Sequence, residues 1–225
     1  MADFTLFIGN KNYSSWSLRP WLALKAAGVD FEEVLIALGN PEEPIRDVIR
    51  RHSPSGKVPA LRHGDLLIWE SLAICEYVAE LFPEARLWPE ERAARAVARA
   101  VSAEMAAGFA ELRAAMPMNI RRRVANFQVP AAALVHVDRI QESFRSCRAQ
   151  FGAGGPFLFG SFTIADAMYA PVVTRFRTYG VAVDEVAQAY MTAVLSLPSM
   201  QAWEEAAQAE TMVVPATEAI ADAAS

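Results

Sequence analysis

The sequence has little cysteine and little histidine. Its 225 residues include two cysteines and three histidines. Cys75 and Cys147 lie far apart in the chain, so they match neither the spacing of a metal site nor that of a redox pair. This scarcity also excludes a scaffold held together by disulfides. We therefore expect two reduced, structural thiols and no bound metal.

Long apolar runs and a secretion signal are also missing. Apolar residues make up 53% of the chain, but no uninterrupted apolar run is long enough to span a bilayer. The segment that starts at Asp3 lacks a basic region followed by an apolar core and a cleavage site. The sequence therefore predicts a soluble globular protein of the cytoplasm with no membrane partner.

The chain has no excess of positive charge. Its formal net charge is −5, which argues against general affinity for nucleic acid, because binding phosphates requires a positive surface. The one basic run is Arg121-Arg122-Arg123. This run is typical of a solvated helix end, and the alternative is a local site for an anionic substrate.

The first 82 residues alternate between strand and helix patterns. The predicted order is β-α-β-α-β-β-α, with parallel first strands and a later hairpin around Gly64-Asp65. This order is typical of a thioredoxin-like domain with a mixed four-stranded sheet. The predicted elements are a strand Phe4–Ile8, a helix capped by Ser17 with Pro20 in its first turn, a strand Phe31–Ile36, a short helix within 41–52, the hairpin, and a helix capped by Ser71 that ends near Phe82.

After residue 82 only helical patterns follow. Residues 83–89 contain two prolines and are predicted to be a linker. Residues 90–225 then form an all-helical domain, so the fold class is α/β plus all-α. The predicted helices are Glu90 to about Ala115, Ala131–Phe151, one that starts with a capping box of Thr163 and Asp166, Asp184–Leu195 and Pro198–Ala207, and the tail from Thr211 is expected to fray or to cover a surface.

The stretch from Lys57 to Ser71 combines two means of holding a peptide. Pro59 at the start of a strand leaves the backbone N–H and C=O of Val58 free to pair with an extended peptide. The helix that starts at Ser71 can hold a carboxylate at its positive end, and Glu70 beside it can face an ammonium group. Glutathione carries all of these groups. The alternative is an ordinary hairpin followed by a helix cap.

Three motifs together resemble the cytosolic glutathione S-transferases over nearly the whole chain. They are Ser14-Ser15-Trp16-Ser17-Leu18-Arg19, Val58-Pro59 with Glu70-Ser71, and Thr163-Ile164-Ala165-Asp166. The first is most similar to the zeta class, whose members have Ser-Ser-Cys-Ser-Trp-Arg. Trp16 stands where that class has cysteine, and Leu18 stands where it has tryptophan.

The resemblance implies a role for each matching residue. Ser14 would donate a hydrogen bond to the glutathione sulfur with help from Ser15, and the phenol of Tyr13 is a competing donor. Val58 would pair with the cysteinyl unit across a cis Val58–Pro59 peptide. The implied glutathione-binding residues are Lys57, Val58, Pro59, Glu70 and Ser71, with glutathione as cosubstrate.

The electrophile is expected between the loop after the first strand and the first helices of the second domain. The alternative for the methionines is that they are core residues. The alternative for the arginine is that it is exposed to solvent. The candidate pocket residues are Tyr13, Trp16, Met116, Asn119 and Arg175.

The resemblance leaves more than one activity open. It implies a homodimer that adds glutathione to a small hydrophobic or anionic electrophile. A glutathione-dependent oxidoreductase needs a cysteine in the loop, and Asn12–Ser17 contains none. Two alternatives stay open: a zeta-like isomerase acting on maleylacetoacetate, and a non-catalytic binding or assembly module.

Overall fold

A four-stranded sheet forms the centre of the first domain. The computed structural model describes residues 3–39 and 44–223. The spatial order of the strands is β2-β1-β3-β4, with β1 parallel to β2 and antiparallel to β3. The predicted mixed sheet and hairpin are therefore confirmed. The strands are β1 (Phe4–Gly9), β2 (Phe31–Ile36), β3 (Ala60–His63) and β4 (Leu66–Trp69).

Helices cover both faces of the sheet. Side chains alternate along β1, so Leu6 and Ile8 pack into the main core while Phe7 packs against Ile49 on the other face. Helices α1 (Ser15–Ala26) and α3 (Ser71–Leu81) lie on the main-core side, and α2 (Ile45–Arg50) lies on the opposite side. Of the predicted short helix, residues 41–43 lie outside the described residues.

The second domain consists of packed helices. Three-residue 3-10 helices occur at Pro83–Ala85 and Gly152–Gly154. The α-helices are α4 (Arg92–Ala107), α5 (Ala110–Ala115), α6 (Ala131–Phe151), α7 (Ile164–Thr178), α8 (Glu185–Leu195), α9 (Pro198–Ala209) and α10 (Pro215–Ala223). The predicted α/β plus all-α class is confirmed, and the proposed domain limits stay a prediction.

The predicted long helix from Glu90 to about Ala115 is wrong, because it is two helices. Gly108 is extended, and Phe109 has φ of +59°, in the left-handed region. A Cβ at position 108 would lie 2.8 Å from the carbonyl oxygen of Glu104. Glycine therefore permits the close backbone approach at the point where α4 ends.

The starts of two other helices differ from the predictions. Helix α1 begins at Ser15 with Ser14 as its N-cap residue, so Ser17 is not the cap and Pro20 lies in the second turn. Helix α3 begins at Ser71 itself, with Glu70 as the N-cap residue. The hydroxyl of Ser17 is used in a different hydrogen bond, described below.

One apolar core runs through both domains. It includes Leu6 and Leu18 of the first domain together with Phe144 and Tyr169 of the second. Trp21 of α1 contacts Trp203 of α9 edge to face, with ring centroids 5.2 Å apart. The two domains are therefore joined by buried side chains in addition to the connecting chain.

The C-terminal segment covers the loop that follows β1. Glu210 accepts hydrogen bonds from the backbone N–H groups of Lys11, at 2.6 Å, and Asn12, at 3.0 Å. Glu218 in α10 accepts one from the amide of Asn119 at 2.9 Å. Of the two outcomes expected for the tail, the structure shows that it covers a surface.

The described residues contain neither a membrane-spanning helix nor a cluster of metal-ligating side chains. No helix among residues 3–39 and 44–223 is long and apolar enough to cross a membrane. Within the same residues, no group of three or more histidine, cysteine, aspartate or glutamate side chains could hold a metal ion.

Candidate active site

Two cavities open between the start of α1 and the segment that leads from β3 to α3. The larger, of about 340 Å³, is lined by Trp16, Ser55, Lys57, Val58, Pro59, Glu70, Ser71 and Ala106. The other, of about 280 Å³, is lined by Tyr13, Ser14, Ser15, Trp16, Leu38, Ile49, Gly56, Lys57 and Val58. The two share Trp16, Lys57 and Val58 and form one cleft. Every residue that the sequence assigned to glutathione or to its thiol therefore lines this cleft.

The backbone of Val58 lies free in the cleft. β3 begins at Ala60, and Pro59, which has no N–H, separates Val58 from the sheet. The Val58–Pro59 peptide is cis, as the sequence resemblance predicts. Within the described part of the chain, neither the N–H nor the C=O of Val58 forms a hydrogen bond. This residue can therefore pair with an extended peptide through both groups.

Glu70 and Ser71 place a strained residue beside a helix N-terminus. Glu70 has φ of +69° and ψ of 124°, a conformation that non-glycine residues rarely adopt. Such strain is typical of functional sites, where surrounding structure holds it. The next residue, Ser71, starts the 11-residue helix α3 and lines the cleft. The arrangement offers a carboxylate to an ammonium group and helix N–H groups to an anion.

The loop after β1 brings Ser14 close to the end of the strand. A Cβ at position 9 would lie 2.7 Å from Cδ1 of Leu38 and 3.1 Å from Cβ of Ser14, so this approach requires Gly9. Among the described residues, no hydrogen bond engages the backbone N–H groups of Trp16 and Ser17 in the first turn of α1. The first turn therefore presents free N–H donors where negative charge is stabilised.

The two candidate serines have different partners. The Oγ of Ser14 lies 2.7 Å from the Oγ of Ser17, and the Oγ of Ser17 accepts a hydrogen bond from the N–H of Gly9 at 3.1 Å. The Oγ of Ser15 instead accepts one from Nη2 of Arg175 at 3.1 Å. Ser14 is thus held within the first domain, while Ser15 is tied to the second.

Positive charge is concentrated beside the serines. Two guanidinium groups lie near the ring of Trp16, with the Cζ atoms of Arg19 and Arg113 4.1 Å and 5.4 Å from its centroid. Burial, together with Arg175 and Arg113, lowers the pKa of Arg19 to about 9, so this group stays charged at pH 7. Within the described residues, none of the three arginines forms an ion pair with a carboxylate. Their uncompensated charge favours an anion in the neighbouring cleft.

Comparison with known proteins identifies the family. The family model for the glutathione S-transferase N-terminal domain matches residues 13–81, and the model for the glutathione S-transferase C-terminal domain matches residues 90–206. The chain belongs to the glutathione S-transferase family. The match covers the loop serines, residues 58–71 and the helical domain as far as residue 206.

Three similar proteins illustrate the range of this family. Glutathione S-transferase L1 of Arabidopsis thaliana is 25% identical over 192 residues, which are 83% of this chain and 71% of that protein. Maleylacetoacetate isomerase of Rattus norvegicus is 37% identical over 99 residues, but these are only 44% of this chain and 45% of that protein. A glutathione transferase homolog from Burkholderia, solved with bound glutathione, is 25% identical with a TM-score of 0.69 and covers 92% of this chain and 99% of its own.

In this glutathione S-transferase the hydroxyl of Tyr13 is already engaged. It donates to Glu218 at 2.6 Å and accepts from Nη2 of Arg121 at 2.8 Å. Burial and the hydrogen bond to Glu218 raise the pKa of Tyr13. The phenol is therefore a poorer candidate for the thiol donor than either serine.

The basic run does not behave as a free patch. Arg121 also donates to the backbone of Glu210 and Met212, and Arg122 pairs with Glu218 and Asp222. These contacts attach the run to the C-terminal segment. They favour neither an exposed helix end nor an open site for an anion.

Three predicted pocket residues lie in the packed interior. Met116 and Asn119 are fully buried, and Arg175 is 3% exposed. None of them lines either cavity of the cleft, and their role toward the substrate stays a prediction. Arg175 spans the two domains by donating to the carbonyl of Met116 at 2.8 Å and to Ser15. Trp16 and Tyr13 do line the cleft.

Sequence reasoning missed Ser17, Arg19 and Arg113 as residues of this site. Ser17 and Arg19 fall inside the first motif, so their spacing from Ser14 was visible. A signal for Arg113 was not available, because its position depends on the break between α4 and α5.

Proposed function

We propose that this glutathione S-transferase binds glutathione in the cleft, holds its sulfur as a thiolate, and adds it to a small electrophile. The observation that carries the proposal is the convergence of the loop serines, the free backbone of Val58 and the Glu70–Ser71 helix start on one cleft. These elements are up to 57 residues apart in the sequence, from Ser14 to Ser71. The arrangement matches the chemical groups of glutathione from one end to the other.

The tripeptide would lie across both cavities. Its γ-glutamyl ammonium faces Glu70 and its carboxylate faces the N-terminus of α3 at Ser71. The cysteinyl unit pairs with Val58 beside Pro59, and Lys57 flanks it. This placement puts the sulfur before Ser14 and Ser15 at the start of α1.

Thiolate formation follows from the charges around that position. A free thiol has a pKa of about 8.5, so only a few per cent is ionised at pH 7. Lowering the pKa by about two units takes roughly 2.7 kcal/mol of preferential stabilisation of the thiolate. A serine hydroxyl donates a charge-assisted hydrogen bond, and the free N–H groups of α1 and the buried arginines add positive potential. The thiol proton leaves to solvent, and the serine keeps its own.

The electrophile would approach over Trp16. This side chain is half-buried and lines both cavities, and Ala106 of α4 lies on the same wall. The thiolate attacks the electrophilic carbon, and the leaving group departs with the electron pair of the broken bond. An apolar ring beside positive guanidinium groups suits an electrophile that is aromatic or that carries negative charge.

A second candidate is a glutathione-dependent isomerase. The similarity to the rat maleylacetoacetate isomerase, at 37% identity over 99 residues, favours it. In such a reaction glutathione adds to the substrate and is released again, so it is not consumed. A non-catalytic role is less favoured, because the loop hydroxyls and the peptide-binding segment are both present in one cleft.

The proposed form is a cytoplasmic homodimer. Glutathione is abundant in reducing compartments, which suits a chain whose two cysteines are free and buried. Analytical ultracentrifugation tests the oligomeric state directly, and a monomer at micromolar concentration contradicts this part of the proposal.

The test of function has three parts. Retention on immobilised glutathione measures binding, turnover of 1-chloro-2,4-dinitrobenzene measures transfer, and turnover of maleylacetoacetate without loss of glutathione measures isomerisation. We expect retention, and a rate that falls at least tenfold in Ser14→Ala. A folded protein that is not retained on immobilised glutathione contradicts the proposal. Retention without turnover of either substrate supports the non-catalytic binding module.

A further inference from the structure

The hydroxyl of Ser17 connects Ser14 to the end of strand β1. Ser17 is fully buried. Its Oγ accepts a hydrogen bond from the backbone N–H of Gly9 at 3.1 Å and lies 2.7 Å from the Oγ of Ser14. The three groups form a short chain that runs from the strand to the cleft.

The direction of the bond between the two serines follows from counting hydrogens. A hydroxyl has one hydrogen to donate. The oxygen of Ser17 already accepts from Gly9, and its hydrogen has one acceptor within reach among the described residues, the Oγ of Ser14. Either hydroxyl could donate in this contact, but Ser17 is fully buried whereas Ser14 lines the cleft, so donation from Ser17 to Ser14 is the direction that leaves no buried donor unsatisfied.

This direction leaves the hydrogen of Ser14 free. No other hydrogen bond engages the Oγ of Ser14 in the described part of the chain, and Ser14 lines the cleft. It is the N-cap residue of α1, yet its side chain does not bond to the first turn of the helix. A capping serine normally uses its oxygen on those N–H groups. Here the oxygen is instead held by Ser17.

We propose that Ser17 is a positioning residue that orients the hydroxyl of Ser14 toward the glutathione sulfur. The inference rests on the proposed function. A hydroxyl that accepts one hydrogen bond becomes a better donor in the next, because bonded groups polarise one another. Ser17 does not touch the sulfur and acts through Ser14. No proton passes along the chain: the thiol loses its proton to solvent, and both serines keep theirs.

The same geometry separates Ser14 from Ser15. The oxygen of Ser15 accepts from the guanidinium of Arg175, which belongs to the second domain. Its position therefore depends on how the two domains pack. Ser14 instead has its side-chain partner, Ser17, and its backbone partner, the carbonyl of Asn10 at 2.8 Å, in the domain that binds the tripeptide, so the contact that orients its hydroxyl does not cross between the domains.

The experiment is a spectroscopic titration of the glutathione complex against pH, which follows thiolate absorbance and gives the pKa of the bound thiol. The variants are Ser17→Ala, Ser14→Ala, the double variant, and Ser17→Thr. We expect Ser17→Ala to raise the pKa of the bound thiol by about one unit, which is a tenfold change in its ionisation constant. We expect the double variant to titrate like Ser14→Ala, because Ser17 acts through Ser14. Ser17→Thr keeps the hydroxyl and restores the titration.

A matched control removes a different buried hydroxyl. Ser143 is 3% exposed and donates to the carbonyl of Arg139 within α6, away from the cleft. Ser143→Ala is expected to titrate like the parent. Glutathione affinity at low pH, where the thiol is protonated in every variant, is expected to be unchanged by Ser17→Ala.

Three results overturn the inference: an unchanged titration in Ser17→Ala, full additivity with Ser14→Ala, or no rescue by Ser17→Thr. Ser17→Ala leaves the N–H of Gly9 without an acceptor, so its fold is checked by circular dichroism. If it does not fold, Ser17→Cys takes its place and is expected to give an intermediate pKa, because a thiol is a weak donor; a parental pKa contradicts the inference. A parent that binds no glutathione, or an unchanged Ser14→Ala, refutes the proposed function instead.

Discussion

Glu70 holds a backbone conformation that is costly for any residue with a side chain. Its φ of +69° and ψ of 124° place it outside the common regions. Residues held in this way cost on the order of 1–3 kcal/mol each. The carbonyl of Glu70 itself accepts a hydrogen bond from the N–H of Ile74 at 3.0 Å and so starts α3. The strain therefore accompanies the placement of a carboxylate at the cleft.

Replacing Glu70 with glycine separates stability from binding. Glycine adopts positive φ without a steric cost, but it loses more entropy on folding. We expect Glu70→Gly to raise the free energy of unfolding by about 1 kcal/mol and to raise KM for glutathione about tenfold or more. Urea unfolding and steady-state kinetics measure the two effects.

Asn126 provides the control for that substitution. It also has positive φ, at +57°, and it is exposed and lies outside the cleft. Asn126→Gly is expected to leave KM for glutathione unchanged, with a smaller gain in stability because asparagine tolerates this conformation. An unchanged KM in Glu70→Gly would remove Glu70 from the binding site.

At the residue scale the sequence located the cleft but not all of its parts. Residue types at fixed spacing identified Ser14, Val58 and Ser71, and their meeting in one cleft is observed. The burial of Met116 and Asn119 was not predictable, because both lie in the segment between α5 and α6, where no periodicity distinguishes a buried position from an exposed one. The roles of all these residues remain proposals.

Among the elements, α7 depends most clearly on a single side chain. Asp166 accepts hydrogen bonds from the N–H of Leu158 at 3.1 Å, and from the N–H and hydroxyl of Thr163 at 2.8 Å and 3.0 Å. The predicted capping box of Thr163 and Asp166 is therefore confirmed. Because Asp166 is fully buried, this cap also ties the preceding loop to the core.

Asp166→Ala leaves three buried donors without an acceptor. Each unsatisfied donor costs about 1–3 kcal/mol, so we expect the free energy of unfolding to fall by about 3 kcal/mol or more. Asp184 caps α8 by accepting from the N–H of Ala187 at 2.8 Å and is partly exposed. Asp184→Ala is the control and is expected to lose about 1 kcal/mol. Equal losses of unfolding free energy in the two variants, measured by urea unfolding, would contradict the inference that burial makes the Asp166 cap more important than the Asp184 cap.

The same carboxylate gives the stability a pH dependence. Burial raises the pKa of Asp166 to about 6, above its ordinary value of 3.8, even though its hydrogen bonds act in the opposite direction. A pKa that is raised on folding contributes stability below pH 4, and this contribution is lost as the pH rises through 6. The difference in unfolding free energy between the parent and Asp166→Asn should therefore fall between pH 4 and pH 7. A difference in unfolding free energy that does not change with pH would show that Asp166 does not titrate in this range.

The presence of most helices was predictable from the sequence, whereas the residues at which they start were predicted less accurately. The starts of α1 and α3 were each misassigned, because a serine near a helix start can cap it, lie in its first turn or bond elsewhere. The break between α4 and α5 depends on a close approach at Gly108 that alanine-rich periodicity conceals.

For the whole molecule, the continuous core predicts one cooperative unfolding transition. Leu18 and Trp21 of the first domain belong to the same buried cluster as Phe176 and Trp203 of the second. Separating the domains would expose this apolar surface to water, at a free-energy cost of about 25 cal/mol per Å². Neither domain is therefore expected to stay folded without the other.

Coincident urea transitions test this expectation. Tryptophan fluorescence combines the signals of all five tryptophans, which include the contacting pair Trp21 and Trp203. Circular dichroism reports the helices of both domains. The two probes should give the same midpoint at a fixed protein concentration. The variant Trp203→Phe keeps an aromatic ring and serves as the control for the fluorescence signal. Separate midpoints would show that the domains unfold independently.

The sequence by itself determined the order of the elements, the mixed sheet, the helical second domain and the residues that meet in the cleft. These features follow from local patterns: alternation, helical spacing, turn residues and short motifs. The tertiary structure alone decided which hydroxyl each serine meets, the attachment of Tyr13 and Arg121 to the C-terminal segment, and the three arginines gathered near Trp16. Those contacts join residues from distant parts of the chain, and no local pattern encodes the hydrogen bond that a buried side chain finds when the domains pack.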